Sequence, residues 1–259
     1  MTTVLLLRHG RTSANASGVL AGRSPGVELD DVGVRQAAEA ATRIAPLPIR
    51  AVVSSPLRRC RQTARAVLDG HDLGLEMRTE SGLIECGYGS WTGRKLRDLT
   101  KEKLWRTVQQ RPSAVRFPDG EAMTEMSARA VATIRQWDQQ LAAEHGDDAL
   151  WVAVSHGDVI KAILADALGM HLDSFQRIMV DPASISVVHY AESQPFVLRM
   201  NSVGQDLQSL LPKPTKDAKA TKKKASGGRR GRSTSASESR RAGPPEPVIG
   251  GGLGADDLP

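Results

Sequence analysis

The same local design occurs twice in this chain, far apart: a short apolar run that stops abruptly at a histidine followed by a glycine. Val4-Leu5-Leu6-Leu7 empties into Arg8-His9-Gly10-Arg11-Thr12, with Asn15 close behind. Leu150-Trp151-Val152-Ala153-Val154 runs into Ser155-His156-Gly157. Each reads as a buried strand that delivers polar groups to the loop at its carboxyl end, where open α/β sheets place their ligands. Two such ends predict one site assembled from two distant parts of the chain.

Between and around them the sequence alternates. The pattern predicts strands at 3–8, 50–54, 74–80, 150–155, 184–190 and 196–200, and helices at 33–44, 56–68, 94–110, 121–145 and 158–169. Asp31 stands where it can cap the first helix. Ser55-Pro56 reads as a cap with proline at the first helical position. Asp119-Gly120-Glu121 would place acidic residues in the first turn of the long helix. The alternation predicts an α/β fold, a three-layer α/β/α sandwich with a mainly parallel central sheet.

Residues 1–203 are expected to form this domain and residues 204–259 a basic tail. From Pro212 the tail is rich in Lys, Arg, Gly, Ser and Pro, with no aromatic residue. It cannot bury enough surface to offset its ordering entropy and is expected to be disordered. Residues 212–259 hold eleven basic and five acidic residues, which accounts for the whole net charge of +6 and leaves residues 1–211 neutral. Lys222-Lys223-Lys224 and Arg229-Arg230-Gly231-Arg232 could touch nucleic acid or an acidic surface weakly. A merely solvated, weakly interacting extension is the favoured reading, and no aromatic residues interleave as a base-stacking platform. No run approaches 18 apolar residues, and the apolar start is too short for a signal peptide. The two cysteines, Cys60 and Cys86, form no CxxC pair and fit reduced thiols. The expectation is a cytoplasmic protein without membrane span, metal or cofactor.

Four segments carry candidate chemistry. In the first, Arg8 offers planar donors suited to phosphate oxygens, His9 is a candidate nucleophile, and Gly10 allows close backbone approach. Thr12 and Asn15 can add hydrogen bonds. The second, Ser54-Ser55-Pro56-Leu57-Arg58-Arg59-Cys60, joins a strand to a helix whose free N–H groups favour an anion that Arg59 could also reach. The third, Leu83-Ile84-Glu85-Cys86-Gly87-Tyr88-Gly89-Ser90-Trp91-Thr92-Gly93, is a glycine-punctuated loop with a single carboxylate, Glu85. The fourth is Ser155-His156-Gly157-Asp158, where the His156 ring could donate to phosphate oxygens. Taken singly, each has a plainer reading: a basic loop with a structural histidine, ordinary helix arginines, an exposed acid on a flexible loop, a buried core histidine.

Together, and in this order, RHGxTxxN, SSPLRRCRQTA, LIECGYGSWTG and VSHG resemble the histidine phosphatase superfamily, branch 1, also called phosphoglycerate mutase-like. The resemblance covers roughly residues 2–200. VSHGDVIKA and VDPASISVV are similar to actinobacterial phosphomutase-like members. The resemblance implies a phosphoglycerate mutase-like fold, His9 as the phosphorylated nucleophile and Glu85 as the proton donor. It further implies that Arg8, Arg59 and His156 bind the phosphoryl group together with Asn15, and that Thr12, Gly22 and Arg23 line the substrate pocket. The implied activity is metal-independent hydrolysis of small phosphorylated metabolites, with a homodimer as a candidate assembly. A phosphoglycerate mutase-type phosphotransferase and a catalytically silent phospho-ligand-binding module remain as alternatives. Only 35 positions separate Glu85 from Gly120, fewer than in cofactor-dependent mutases, which favours an open pocket and hydrolysis. Asp158, Lys161 and Thr92 depart from the family's commoner residues.

Overall fold

The computed structural model describes residues 1–70 and 74–204. All of the expected tail except Gly204 therefore lies outside the described residues. The described strands are β1 (Thr3–Arg8), β2 (Ile49–Ser54), β3 (Met77–Thr79), β4 (Leu150–Ser155), β5 (Ile185–Tyr190) and β6 (Pro195–Ser202). The α-helices are α1 (Ser13–Ala16), α2 (Asp31–Ile44), α3 (Arg58–Asp69), α4 (Leu96–Leu99), α5 (Lys103–Gln110), α6 (Met123–His145) and α7 (Gly157–Ala167).

The six strands form one sheet in the order β3-β2-β4-β1-β5-β6. The β3–β2, β2–β4 and β4–β1 ladders are parallel; only β5 runs against its neighbours. The sheet is thus mixed but mainly parallel, as the alternation of elements predicts. Its central strands are apolar throughout because each face buries its own core. Val4, Leu6, Val53, Trp151 and Ala153 join one core with Met126, Ile134 and Ile163 of α6 and α7. Leu5, Leu7, Val52, Val152 and Val154 join the other with Ile44 of α2 and Val67 of α3. A period of two along each strand deals successive side chains to opposite layers.

Helix starts were the least accurate expectation. Asp30, not Asp31, caps α2: its side chain accepts the Gly33 N–H at 2.8 Å. Helix α3 begins at Arg58 after Leu57, which has no side-chain cap bond, so Ser55 and Pro56 stand outside it. Helix α6 begins at Met123 with Glu125 as its first-turn acid; Asp119, Gly120 and Glu121 form the preceding turn. The expected helix 94–110 is two pieces, α4 and α5, and the expected strand 74–80 is paired only over Met77–Thr79. Among the described residues no helix is long and apolar enough to cross a membrane.

Candidate active site

The parallel pairing of β1 with β4 sets Arg8 opposite Ser155. The His9 N–H continues the ladder to the Ser155 carbonyl at 3.0 Å. Both histidines therefore leave neighbouring strands at one level. Their ring centroids lie 5.2 Å apart at an interplanar angle of 62°. A Cβ on Gly10 would sit 2.4 Å from the Gly33 carbonyl oxygen, so the loop after His9 lies flush on the first turn of α2. Close backbone packing is what requires a glycine here.

Ring tautomers follow from the partners. His9 Nδ1 lies 2.8 Å from the Gly10 carbonyl, which can only accept, so Nδ1 carries the hydrogen. That leaves the Nε2 lone pair, to which Arg59 Nε donates at 3.2 Å. Burial, then the Arg59 and Arg8 charges, hold the His9 pKa well below its ordinary value. This favours the neutral ring, with an Nε2 lone pair directed at Arg59. Arg59 Nη2 also donates to His156 Nδ1 at 3.2 Å and to the Gly22 carbonyl at 2.8 Å. His156 therefore keeps its hydrogen on Nε2, facing Ser55 Oγ at 2.8 Å. Burial, then Arg59, lowers the His156 pKa as well. His156 Nδ1 is an acceptor in this arrangement, so donation from it to a phosphoryl oxygen requires either the other tautomer, with Ser55 Oγ donating to Nε2, or uptake of a proton.

Glu85 completes the cluster from the loop after β3. Its Oε2 lies 3.8 Å from His156 Nδ1, and its Oε1 accepts the Cys86 N–H at 2.9 Å. The side chain is buried, not displayed on a flexible loop. Burial, then the Asp158 carboxylate, push its pKa up to about 7, against the pull of Arg59, the Cys86 N–H and Arg8. Arg8 is fully buried and donates to the Val180 carbonyl at 2.7 Å. Arg59 Nη1 is buried with no hydrogen-bond partner among the described residues. An orphaned guanidinium nitrogen is costly unless an acceptor reaches it, and an anionic oxygen would serve.

The remaining expected residues are placed less centrally. Thr12 and Asn15 are occupied with each other: they form a capping box at α1, with Thr12 Oγ1 donating to Asn15 Oδ1 at 2.8 Å. Gly22 meets the site through its carbonyl. Arg23 lies at the exposed rim, donating to the Glu85 carbonyl at 2.7 Å and to Glu121 at 2.9 Å. Sequence reasoning did not single out Ser55 as the partner of His156. It also missed the buried bond from Tyr88 Oη to Asp158 at 2.7 Å, which ties the Glu85 loop to α7. A tyrosine three residues after Glu85 and an acid two after His156 were the only signals available for that pair.

The histidine phosphatase superfamily (branch 1) model matches residues 4–203. The chain belongs to that family. A Yersinia pestis protein named "Probable phosphoglycerate mutase GpmB" is 34% identical over 195 residues, spanning 74% of this chain and 87% of its own. The alpha-ribazole phosphatase of Shigella flexneri superposes with a TM-score of 0.67 at 27% identity, over 80% of this chain and 99% of its own. A mycobacterial glucosyl-3-phosphoglycerate phosphatase superposes with a TM-score of 0.68 at 22% identity, over 77% and 99%, and is alike in fold.

Proposed function

We propose that this histidine phosphatase superfamily member hydrolyses small phosphomonoesters without a metal, through a phosphohistidine on His9 with Glu85 as proton donor. The observation that carries this reading is the meeting of a neutral, hydrogen-bond-oriented imidazole with a carboxyl whose pKa is near 7 around a partly unsatisfied arginine. Arg8 and Arg59 neutralise the dianionic phosphoryl group, and His156 donates an N–H to it. His9 Nε2 attacks phosphorus in line, and the ester P–O bond breaks as Glu85 gives its proton to the leaving oxygen. Water then attacks the phosphohistidine, its proton passing to the Glu85 carboxylate as the P–N bond breaks, and inorganic phosphate leaves. Proton transfer of this kind contributes about 10²–10⁴-fold in rate.

The short segment after Glu85 and the likeness to a phosphatase support hydrolysis. The likeness to a named mutase keeps phosphoryl transfer between substrates as the second reading. Hydrolysis of p-nitrophenyl phosphate in EDTA, with and without bisphosphoglycerate, separates them. Activity independent of bisphosphoglycerate is expected. Strict dependence on it would make the protein a mutase, and inactivity under both conditions would make the site a binding module.

A further inference from the structure

Around the main chain of Glu85 stands a second group of charges; none of its members hydrogen-bonds to His9 or His156, although the Arg129 charge is felt by His156. Glu121 lies in the turn before α6 and Arg129 within α6. Arg129 Nε donates to Glu121 Oε1 at 2.7 Å and Nη2 to Glu121 Oε2 at 3.1 Å, a two-point pairing. The same guanidinium reaches the Gly82 carbonyl at 2.7 Å and the Glu85 carbonyl at 3.1 Å. Arg23 Nε donates to that Glu85 carbonyl at 2.7 Å while its Nη2 meets Glu121 Oε2 at 2.9 Å. Glu121 also accepts the Gly87 N–H at 3.0 Å and returns its own N–H to the Gly87 carbonyl at 2.7 Å. Two guanidinium groups thus converge on one main-chain oxygen, and one carboxylate holds both of them.

We propose that Glu121 and Arg129 are positioning residues for the proton transfer made by Glu85. They grip the main chain on both sides of Glu85, at Gly82, at its own carbonyl and at Gly87, and so set where its carboxyl points. Charge-assisted, two-point contacts are the kind that fix geometry. Burial works against an ionised Glu121, but the Arg129 hydrogen bonds, the Gly87 N–H and the two arginine charges outweigh it and hold its pKa below the usual range. Among the described residues, the Glu85 side chain has only the adjacent Cys86 N–H as a close donor. Its aim therefore depends on the backbone, and misplacement by about 1 Å can cost on the order of 10²-fold.

This inference rests on Glu85 being the donor, and the test separates the two. Turnover is measured on p-nitrophenyl phosphate and on an alkyl phosphomonoester, whose leaving oxygen needs a proton far more. Inorganic phosphate inhibition reports the phosphate subsite. Arg129→Met should slow the alkyl ester by roughly tenfold or more and p-nitrophenyl phosphate by less than about threefold, with phosphate inhibition within about twofold. Arg129→Lys should recover part of the loss. In a Glu85→Gln background Arg129→Met should add nothing on the alkyl ester. Equal losses on both esters, or a full further loss in that background, would overturn the positioning role. A Glu85→Gln enzyme with no difference between the esters would instead sink the donor assignment. If Arg129→Met does not fold, Glu121→Gln, which keeps the side chain's size, is put through the same measurements, with the same split expected.

Discussion

The strand ends that carry the histidines and the loop that carries Glu85 reach the same centre by different physical means. His9 and His156 are delivered by the sheet. Their strands pair in register, the His9 N–H extends the ladder, and the residues that aim each ring are close neighbours or lie on adjacent elements. Glu85 has no ladder. Its loop is cast against other parts of the chain: the turn at 117–121, Arg129 of α6, Arg23 of the loop after α1, and Asp158 through Tyr88. Secondary structure positions the two histidines, whereas tertiary contacts position the carboxyl. Damage to the two regions should therefore look different.

At the strand end, the largest expected effect is chemical and not structural. His9→Ala deletes the proposed attacking nitrogen while leaving the β1–β4 ladder and both cores in place. We expect no measurable turnover from a preparation whose circular dichroism and thermal midpoint match the parent within a few degrees. Residual hydrolysis that survives EDTA and repurification would remove His9 from the nucleophile role.

In the Glu85 loop the largest effects should be structural. Gly89 has φ +53°, and a Cβ there would lie 1.9 Å from the Pro118 carbonyl oxygen. Gly93, four residues on, has φ +81° and open space around its Cβ position. Both positions carry the left-handed penalty of about 1–2 kcal/mol for an alanine. Only Gly89 adds a backbone collision, bringing its cost to about 3 kcal/mol or more. At about 2–4 °C per kcal/mol for a chain of this size, Gly89→Ala should lose several degrees more in thermal midpoint than Gly93→Ala. Equal midpoints for the two variants would show that the loop yields at 118–120 and is not cast as described.

This contrast also explains what could be read from the residues alone. The strand-end histidines, Arg59 beside them and the mainly parallel sheet were legible because a short unbroken apolar run and its break into polar residues are local signals. Glu85 was found as the single acid of its loop, but its surroundings were not. The Gly-rich stretch suggests flexibility, whereas Gly89 and Gly120 serve a contact between backbones, which only the folded chain reveals. Glu121 and Arg129 lie 36 and 44 residues beyond Glu85, and nothing in their spacing points back to it. Asn15 was expected to meet phosphate; its side-chain oxygen accepts from the Thr12 N–H and hydroxyl, so only its Nδ2 could donate to an anion. The helix starts slipped by one to two residues because Asp30 and Asp31 could each cap α2, while α3 and α6 begin after Leu57 and Ala122, whose side chains give no cap signal.

The smallest expected effect sharpens the comparison by separating the carboxyl's charge from its place. Glu85 has a pKa of about 7 in the folded protein against 4.5 when unfolded. Below pH 4.5 it is protonated in both states and contributes no difference. Between 4.5 and 7 the unfolded chain releases the proton and the folded chain keeps it, so stability falls as pH rises through this window. Above 7 both states are ionised and the folded state bears the full cost of a carboxylate buried beside Asp158. Glu85→Gln cannot ionise and still offers an oxygen to the Cys86 N–H. Its stability relative to the parent should therefore rise between pH 5 and pH 8 by on the order of 2 kcal/mol, read as a difference in urea midpoints at the two pH values. His9 and His156 are buried neutral in parent and variant alike and cancel in that difference. A gain independent of pH would mean that Glu85 is already ionised at pH 5, and a carboxylate ionised there has no proton to give a leaving group at neutral pH.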